Sequence, residues 1–173
     1  MLKYILDLKM NIFFLSLDPR EAAKLHCDKH VVKMIVESAQ MLYCAHWVLE
    51  SPLPPNAYKK AHPNHPCSIW VRESLDNYLW LCELAKELCN EYKVIYGEHK
   101  IHKTEAHIDW LIANHPNNIP NDGFTMPAQA MPDEYKREDL VLAYQTFYRE
   151  SKMIIRDIVK YKNRSFPDFL SSI

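Results

Sequence analysis

The sequence predicts an all-α protein, a single-domain irregular helical bundle over residues 1–173 with a long central helix and Pro-rich connections. Three observations lead there. Apolar residues recur at three- and four-residue steps over most of the chain, whereas strand-like alternation is confined to "NIFFLS", residues 11–16. Prolines gather between Pro52 and Pro66 and between Pro116 and Pro132, separating the periodic stretches rather than interrupting them. A chain of 173 residues with 48% hydrophobic content is enough for one core and does not require a second.

Residues 1–9 do not read as a signal peptide, because Asp7 and Lys9 interrupt the apolar run and no small-residue cleavage site follows. They are either part of the domain or an extension ahead of Met10. "SLDPREAAKLHC" starts a helix, with Asp18 as N-cap, Pro19 at the first helical position and Glu21 in the first turn. A second or continuous helix runs from about 28 to 49. "HPCSIWVRESLDNYLWLCELAKELCNEYKVIYG" spaces Ile69, Leu75, Tyr78, Leu79, Cys82, Leu88 and Tyr92 as the central, longest helix, with Gly97 as its C-cap. "HKTEAHIDWLIANHP" and "REDLVLAYQTFYRESKMIIRDIVKYK" are two further amphipathic helices.

Composition narrows the function. The two glycines, Gly97 and Gly123, exclude GxGxxG and GxxxxGK[ST] phosphate loops. A formal charge of −1 gives no global pull toward nucleic acid, so any basic surface is local. No apolar run is long enough for a bilayer, so no membrane partner is expected. Five cysteines without a CxxC pair read as reduced, buried thiols of a cytoplasmic protein.

The sharpest local feature is "CDKHVVKMIVESAQML", in which steps of three and four residues put His30, Lys33 and Glu37 on one helical face. His26 joins them if the helix is unbroken. Lys33 and Glu37 read either as a solvated i,i+4 pair or, because Val31, Val32, Met34, Ile35 and Val36 wrap the helix, as a polar line facing a cleft suited to acid–base work. In "AHPNHPCSIWVRES", His65 and Arg72 read as loop and capping residues or as a helix start that receives an anion. The connection carrying Phe124, Met126, Met131 and Tyr135 covers either the core or a site. Arg149, Lys152, Arg156 and Lys160 repeat along one side of the last helix, with Tyr144, Phe147, Tyr148 and Tyr161 among them, as a solvated face or a nucleic-acid contact. His26 and His30 have i,i+4 spacing, but no HExxH motif or paired-cysteine framework supports a metal site.

The "DKHVVKMIVE" spacing, a histidine and a glutamate seven apart on an early helix, resembles the pyrimidine-dimer DNA glycosylases of the phage endonuclease V type. "NHPCSIWVRESLDNYLWLCELAKELCNEY" is similar in layout to that family's central helix, and the two stretches lie in about the first half of the chain. The resemblance implies an all-α single domain, a catalytic Glu37 with His30 beside it, His65 at the start of the central helix, and an α-amine nucleophile exposed by removal of the initiator methionine. Here Leu2 follows Met1 and Asn11 follows Met10, and Val36 and Ser38 flank Glu37 where the family has arginines.

The expected function is accordingly a DNA glycosylase and AP lyase. An amine attacks C1′ of a damaged nucleotide, and Glu37, His30 and Lys33 carry the chemistry. His26, His65, Arg72, Arg149, Lys152, Arg156 and Lys160 hold the substrate, with no cofactor and no metal. A binding protein using the same cleft for a nucleotide-like ligand, or a metal-dependent hydrolase, are the alternatives.

Overall fold

The structure, a computed structural model, describes residues 10–152 and 159–171. Six α-helices occur among them: α1 (Pro19–Leu25), α2 (Asp28–Val48), α3 (Pro66–Glu73), α4 (Leu75–Tyr96), α5 (Glu105–Ala113) and α6 (Leu140–Phe147). The two long helices α2 and α4 pack along each other; α1 lies on α4, α3 touches both, and α5 packs against both, meeting α4 from Lys93 to Tyr78. The all-α bundle is as expected, and no described helix is long and apolar enough to cross a membrane.

Local chemistry sets the helix ends. Asp18 accepts a hydrogen bond from the Arg20 N–H, with Pro19 behind it, so α1 starts where an N-cap and a fixed φ coincide. α4 stops at Gly97, whose φ of 117° lies in a region side chains rarely adopt.

Three expectations need correction, and the choice left open between one helix and two ahead of residue 49 is decided. The strand-like "NIFFLS" forms no strand. It is an extended segment threaded singly between helices, and its alternation is used on two sides: Phe13 contacts the His30 and Tyr148 rings, while Phe14 contacts Trp70, Trp80 and Tyr144. The chain from 66 to 96 is two helices rather than one. Ser74 is extended (φ −151°, ψ 148°), and its hydroxyl caps α4 through the Asp76 N–H. The break leaves the Leu75 N–H for the Pro120 carbonyl and lets the Ser74 hydroxyl donate to the Gly123 carbonyl, so the second proline-rich connection is tied down there.

The chain also breaks between α1 and α2. His26 is the extended C-cap of α1 (ψ 134°), so it does not continue the line of His30. Finally, α6 runs into a π-helical turn at Tyr148–Lys152, and Lys160 stands on non-helical chain, so the basic stripe does not continue along one helix to Lys160. Arg156 lies outside the described residues.

That C-terminal segment is fastened by one buried cation. Arg164, with 6% of its side chain exposed, lies 2.7 Å from Asp28 on α2 and 3.2 Å from Glu91 on α4. Removing one member of a buried ion-pair set leaves the others uncompensated, a loss of about 3–5 kcal/mol. Arg164→Ala is expected to lose stability on that order in urea unfolding, and a change within experimental error would mean water satisfies both carboxylates.

Candidate active site around Glu37

Glu37 sits midway along α2 with 7% of its side chain exposed. The Asn11 main-chain N–H donates to Oε2 at 3.1 Å, and the Lys33 ammonium lies 3.1 Å from Oε1. Lys33 is one turn away and 54% exposed, so it reaches from solvent to a carboxylate that is out of it. Position i,i+4 on a helix makes this pair. The contact with Asn11 spans 26 residues and is made by the fold.

Asn11 is the residue that sequence reasoning uses least. Its side-chain amide donates to the Ala130 carbonyl at 3.0 Å, and its Oδ1 accepts from the Ile12 N–H at 2.8 Å and from the Cys67 thiol at 3.4 Å. It therefore joins the N-terminal segment, α2, the start of α3 and the second connection. A signal is present: it is the only polar residue in "MNIFFL", and a polar group in so apolar a run is buried only with partners. Burial pushes the Cys67 thiol up to about 12, so the sulfur beside Asn11 is a donor and not a nucleophile.

The second connection covers this centre. Tyr144 donates to the Ala128 carbonyl at 3.0 Å and accepts from the Ala130 N–H at 3.2 Å, and Met131 is buried. Trp70 and Asn77 hold Thr125 farther back. Phe124 and Met126, however, stay exposed, so only part of the loop is packed down.

His30 stands near the other end of the same segment. Its Nδ1 is 2.7 Å from the Tyr148 hydroxyl, and its ring stacks on Phe13 at 5.4 Å between centroids. Tyr148 also accepts the Cys27 N–H at 2.9 Å. His30 is thus oriented by α6 and the N-terminal segment, while the Lys33–Glu37 pair occupies the stretch of α2 beside Asn11.

Of the other predicted residues, His65, Arg72 and Arg149 contact the surrounding scaffold, Lys160 stands apart from them, and the side chains of Lys152 and Arg156 lie outside what is described. His65 caps α3 by accepting the Cys67 N–H at 3.2 Å, and burial, with His62 nearby, lowers its pKa. Arg72 donates to the Pro63 carbonyl at 2.7 Å, holding the first proline-rich connection. Arg149 reaches Glu150 at 3.1 Å and the Phe169 carbonyl at 3.5 Å. The i,i+4 pairing of His26 with His30 does not form, and among the described residues no group of three His, Cys, Asp or Glu side chains is arranged to hold a metal ion.

His26 is fully buried. Its Nδ1 lies 2.6 Å from the Ala22 carbonyl, to which it donates, and Nε2 has no partner among the described residues. Burial pulls its pKa down to about 4 from the usual 6.5, with Arg164 adding to the effect. The unfolded chain binds this proton more readily than the folded one, so stability falls as pH drops from about 6.5 toward 4. The loss approaches roughly 3 kcal/mol below that range. His26→Leu should flatten the pH dependence of urea unfolding by that amount, and an unaltered slope would assign the linkage to other histidines.

No protein-family model, curated protein or solved structure matches the chain.

Proposed function

We propose that the protein is a DNA N-glycosylase with AP-lyase activity, and that its nucleophile is the Asn11 nitrogen in a form of the chain that begins at Asn11. The supporting observation is the 3.1 Å hydrogen bond from that nitrogen to Glu37 Oε2. Within a peptide bond the nitrogen lone pair is delocalised and unreactive. As a free α-amine, with a reference pKa of about 7.7–8.0, an appreciable fraction is neutral near pH 7. Lys33 also brings a nitrogen to Glu37, but half of it is in solvent, without the desolvation that makes a lysine a Schiff-base former.

The chemistry then follows the positions. Glu37 takes a proton from the amine, whose lone pair attacks C1′ of the damaged nucleotide. The C1′–N bond breaks and its electron pair leaves with the base, which is protonated. The nitrogen then loses its second proton. Its lone pair forms the C=N bond as the C1′–O4′ bond opens with its electron pair on O4′, which takes up that proton, giving the iminium. Loss of a C2′ proton then expels the 3′ phosphate by breaking the C3′–O bond, and water releases the sugar from the amine. Lys33 offsets the charge of Glu37, and His30 on the next polar position of the helix serves the sugar or phosphate.

The test compares the full chain with one starting at Asn11, made by cleaving a fusion immediately before it, after circular dichroism confirms that both are folded. Borohydride treatment with an abasic-site duplex should give a covalent adduct at Asn11 in the shortened chain only, located by mass spectrometry. An adduct on Lys33, or none, defeats the proposal. In the shortened chain Glu37→Gln keeps volume and an acceptor for the Asn11 nitrogen, so it should remain folded while the lyase rate falls by about 10²- to 10⁴-fold.

A further inference from the structure

Beside the Lys33–Glu37 pair, on the outer side of α2, lies an open groove of about 760 Å³. Such a volume is within the roughly 300–1,000 Å³ of ordinary ligand sites. Lys29 and Lys33, one turn apart on α2, form one wall, and Lys160 and Lys162 belong to the other. All four are exposed. Among the described residues Lys29, Lys160 and Lys162 have no carboxylate within ion-pair distance. The lining contains one acid, Asp28, which is already committed to Arg164 and to the Lys162 N–H. On a chain of net charge −1 this is a concentrated positive strip.

The far wall is held by the backbone. The Lys160 carbonyl accepts the Asp28 N–H at 2.9 Å, and Tyr161 between the two lysines donates to the Leu25 carbonyl at 2.7 Å. With Tyr161 turned toward the protein, its two neighbours fall on the outer side of the segment. Between the walls lie Val32, Ile95 and Tyr96. Tyr96 is the last residue of α4, 44% exposed, with its ring backed by Tyr92 at 4.7 Å.

We propose that this groove binds a single-stranded nucleic-acid segment, the lysines taking the phosphates and Tyr96 stacking on a base. A strip of cations flanking an aromatic and an apolar floor is the pairing that unpaired strands need, since their bases are free to stack. A duplex keeps its bases inside, and a flat anionic membrane meets the rim without reaching the floor. Lys33 lines the groove and also pairs with Glu37, which is buried and does not line it. Strand binding shares with the proposed function only this adjacency, and it does not require a free amine at Asn11.

The measurement is fluorescence anisotropy of a labelled oligothymidylate with the full chain, over a salt series. The triple variant Lys29→Ala, Lys160→Ala, Lys162→Ala, with Lys33 kept, should bind more weakly at low salt. Its salt slope should be shallower by about two, since each single-strand phosphate that a lysine neutralises adds roughly 0.7 to the slope. Tyr96→Ala should lower single-strand affinity by about tenfold, in the range for removal of a stacking aromatic, while Tyr96→Phe retains it. A mixed-sequence duplex should bind less tightly and be indifferent to Tyr96. Unchanged affinity in the triple variant overturns the proposal, as does equal binding of duplex and single strand with no effect of Tyr96→Ala. Tighter binding to phosphatidylserine-containing vesicles than to the oligonucleotide also overturns it. Because Asn11 is in peptide linkage throughout, these results stand whether or not the shortened chain forms a Schiff base.

Discussion

A carboxylate buried on a helix whose other residues are largely apolar carries a desolvation cost of several kcal/mol unless its oxygens are met. Among the partners of Glu37 are the Asn11 N–H, from a segment 26 residues away, and Lys33. The first contact fixes the path of the chain from Met10 to Leu15 along α2. Once Asn11 is at Glu37, Phe13 stacks on His30 and Phe14 lies among Trp70, Trp80 and Tyr144. The Asn11 side chain then holds the Ala130 carbonyl and receives the Cys67 thiol, so the second connection and the start of α3 are set against the same point. Tertiary order around α2 thus follows from satisfying one buried charge.

Where the sequence is legible, the determining interactions are local. Asp18 with Pro19 and the positive-φ stop at Gly97 act within a few residues, and the helix ends they predict are observed. The Lys33–Glu37 pair is likewise a matter of helical spacing. Ser74 is legible in principle: a serine two residues before an aspartate, ahead of an apolar run, is an N-cap pattern, but apolar spacing carried through it masks the break. "NIFFLS" shows the opposite failure. Alternation reports only that two sides of an extended segment are buried, and here the partners on both sides are helices and not neighbouring strands.

What spacing alone does not reach is the pairing of distant segments. Helical spacing makes His30, Lys33 and Glu37 one polar surface, yet Tyr148 and Phe13 claim the histidine while the Lys33–Glu37 pair lies beside Asn11. Lys29 replaces His30 as the neighbour of Lys33 on the outer face. Helical arithmetic groups Lys160 with Arg149, and it stands instead across a groove from Lys29, because the Asp28 N–H and the Lys160 carbonyl join there. Lys29 and Lys33, like Lys33 and Glu37, are one turn apart, but the partners that place His30 and Lys160 are distant in sequence. Hydrogen bonds spanning more than a hundred residues, such as Cys27 to Tyr148 and Leu25 to Tyr161, decide them.

The hydrogen bond between Asn11 and Glu37 has a structural meaning and, in the function proposed, a chemical one. As an amide, the nitrogen is a donor that satisfies a buried carboxylate, and the contact is complete as a stabilising interaction. As an amine, the same nitrogen at the same distance faces a base able to take its proton, which is the relation a general base needs to a nucleophile. The contacts of the Asn11 side chain serve either case, since Ala130 and Cys67 hold it without touching the nitrogen, while Met10 is held separately in the core. In the function proposed, the difference between scaffold and catalyst at this point is one covalent bond, that between Met10 and Asn11.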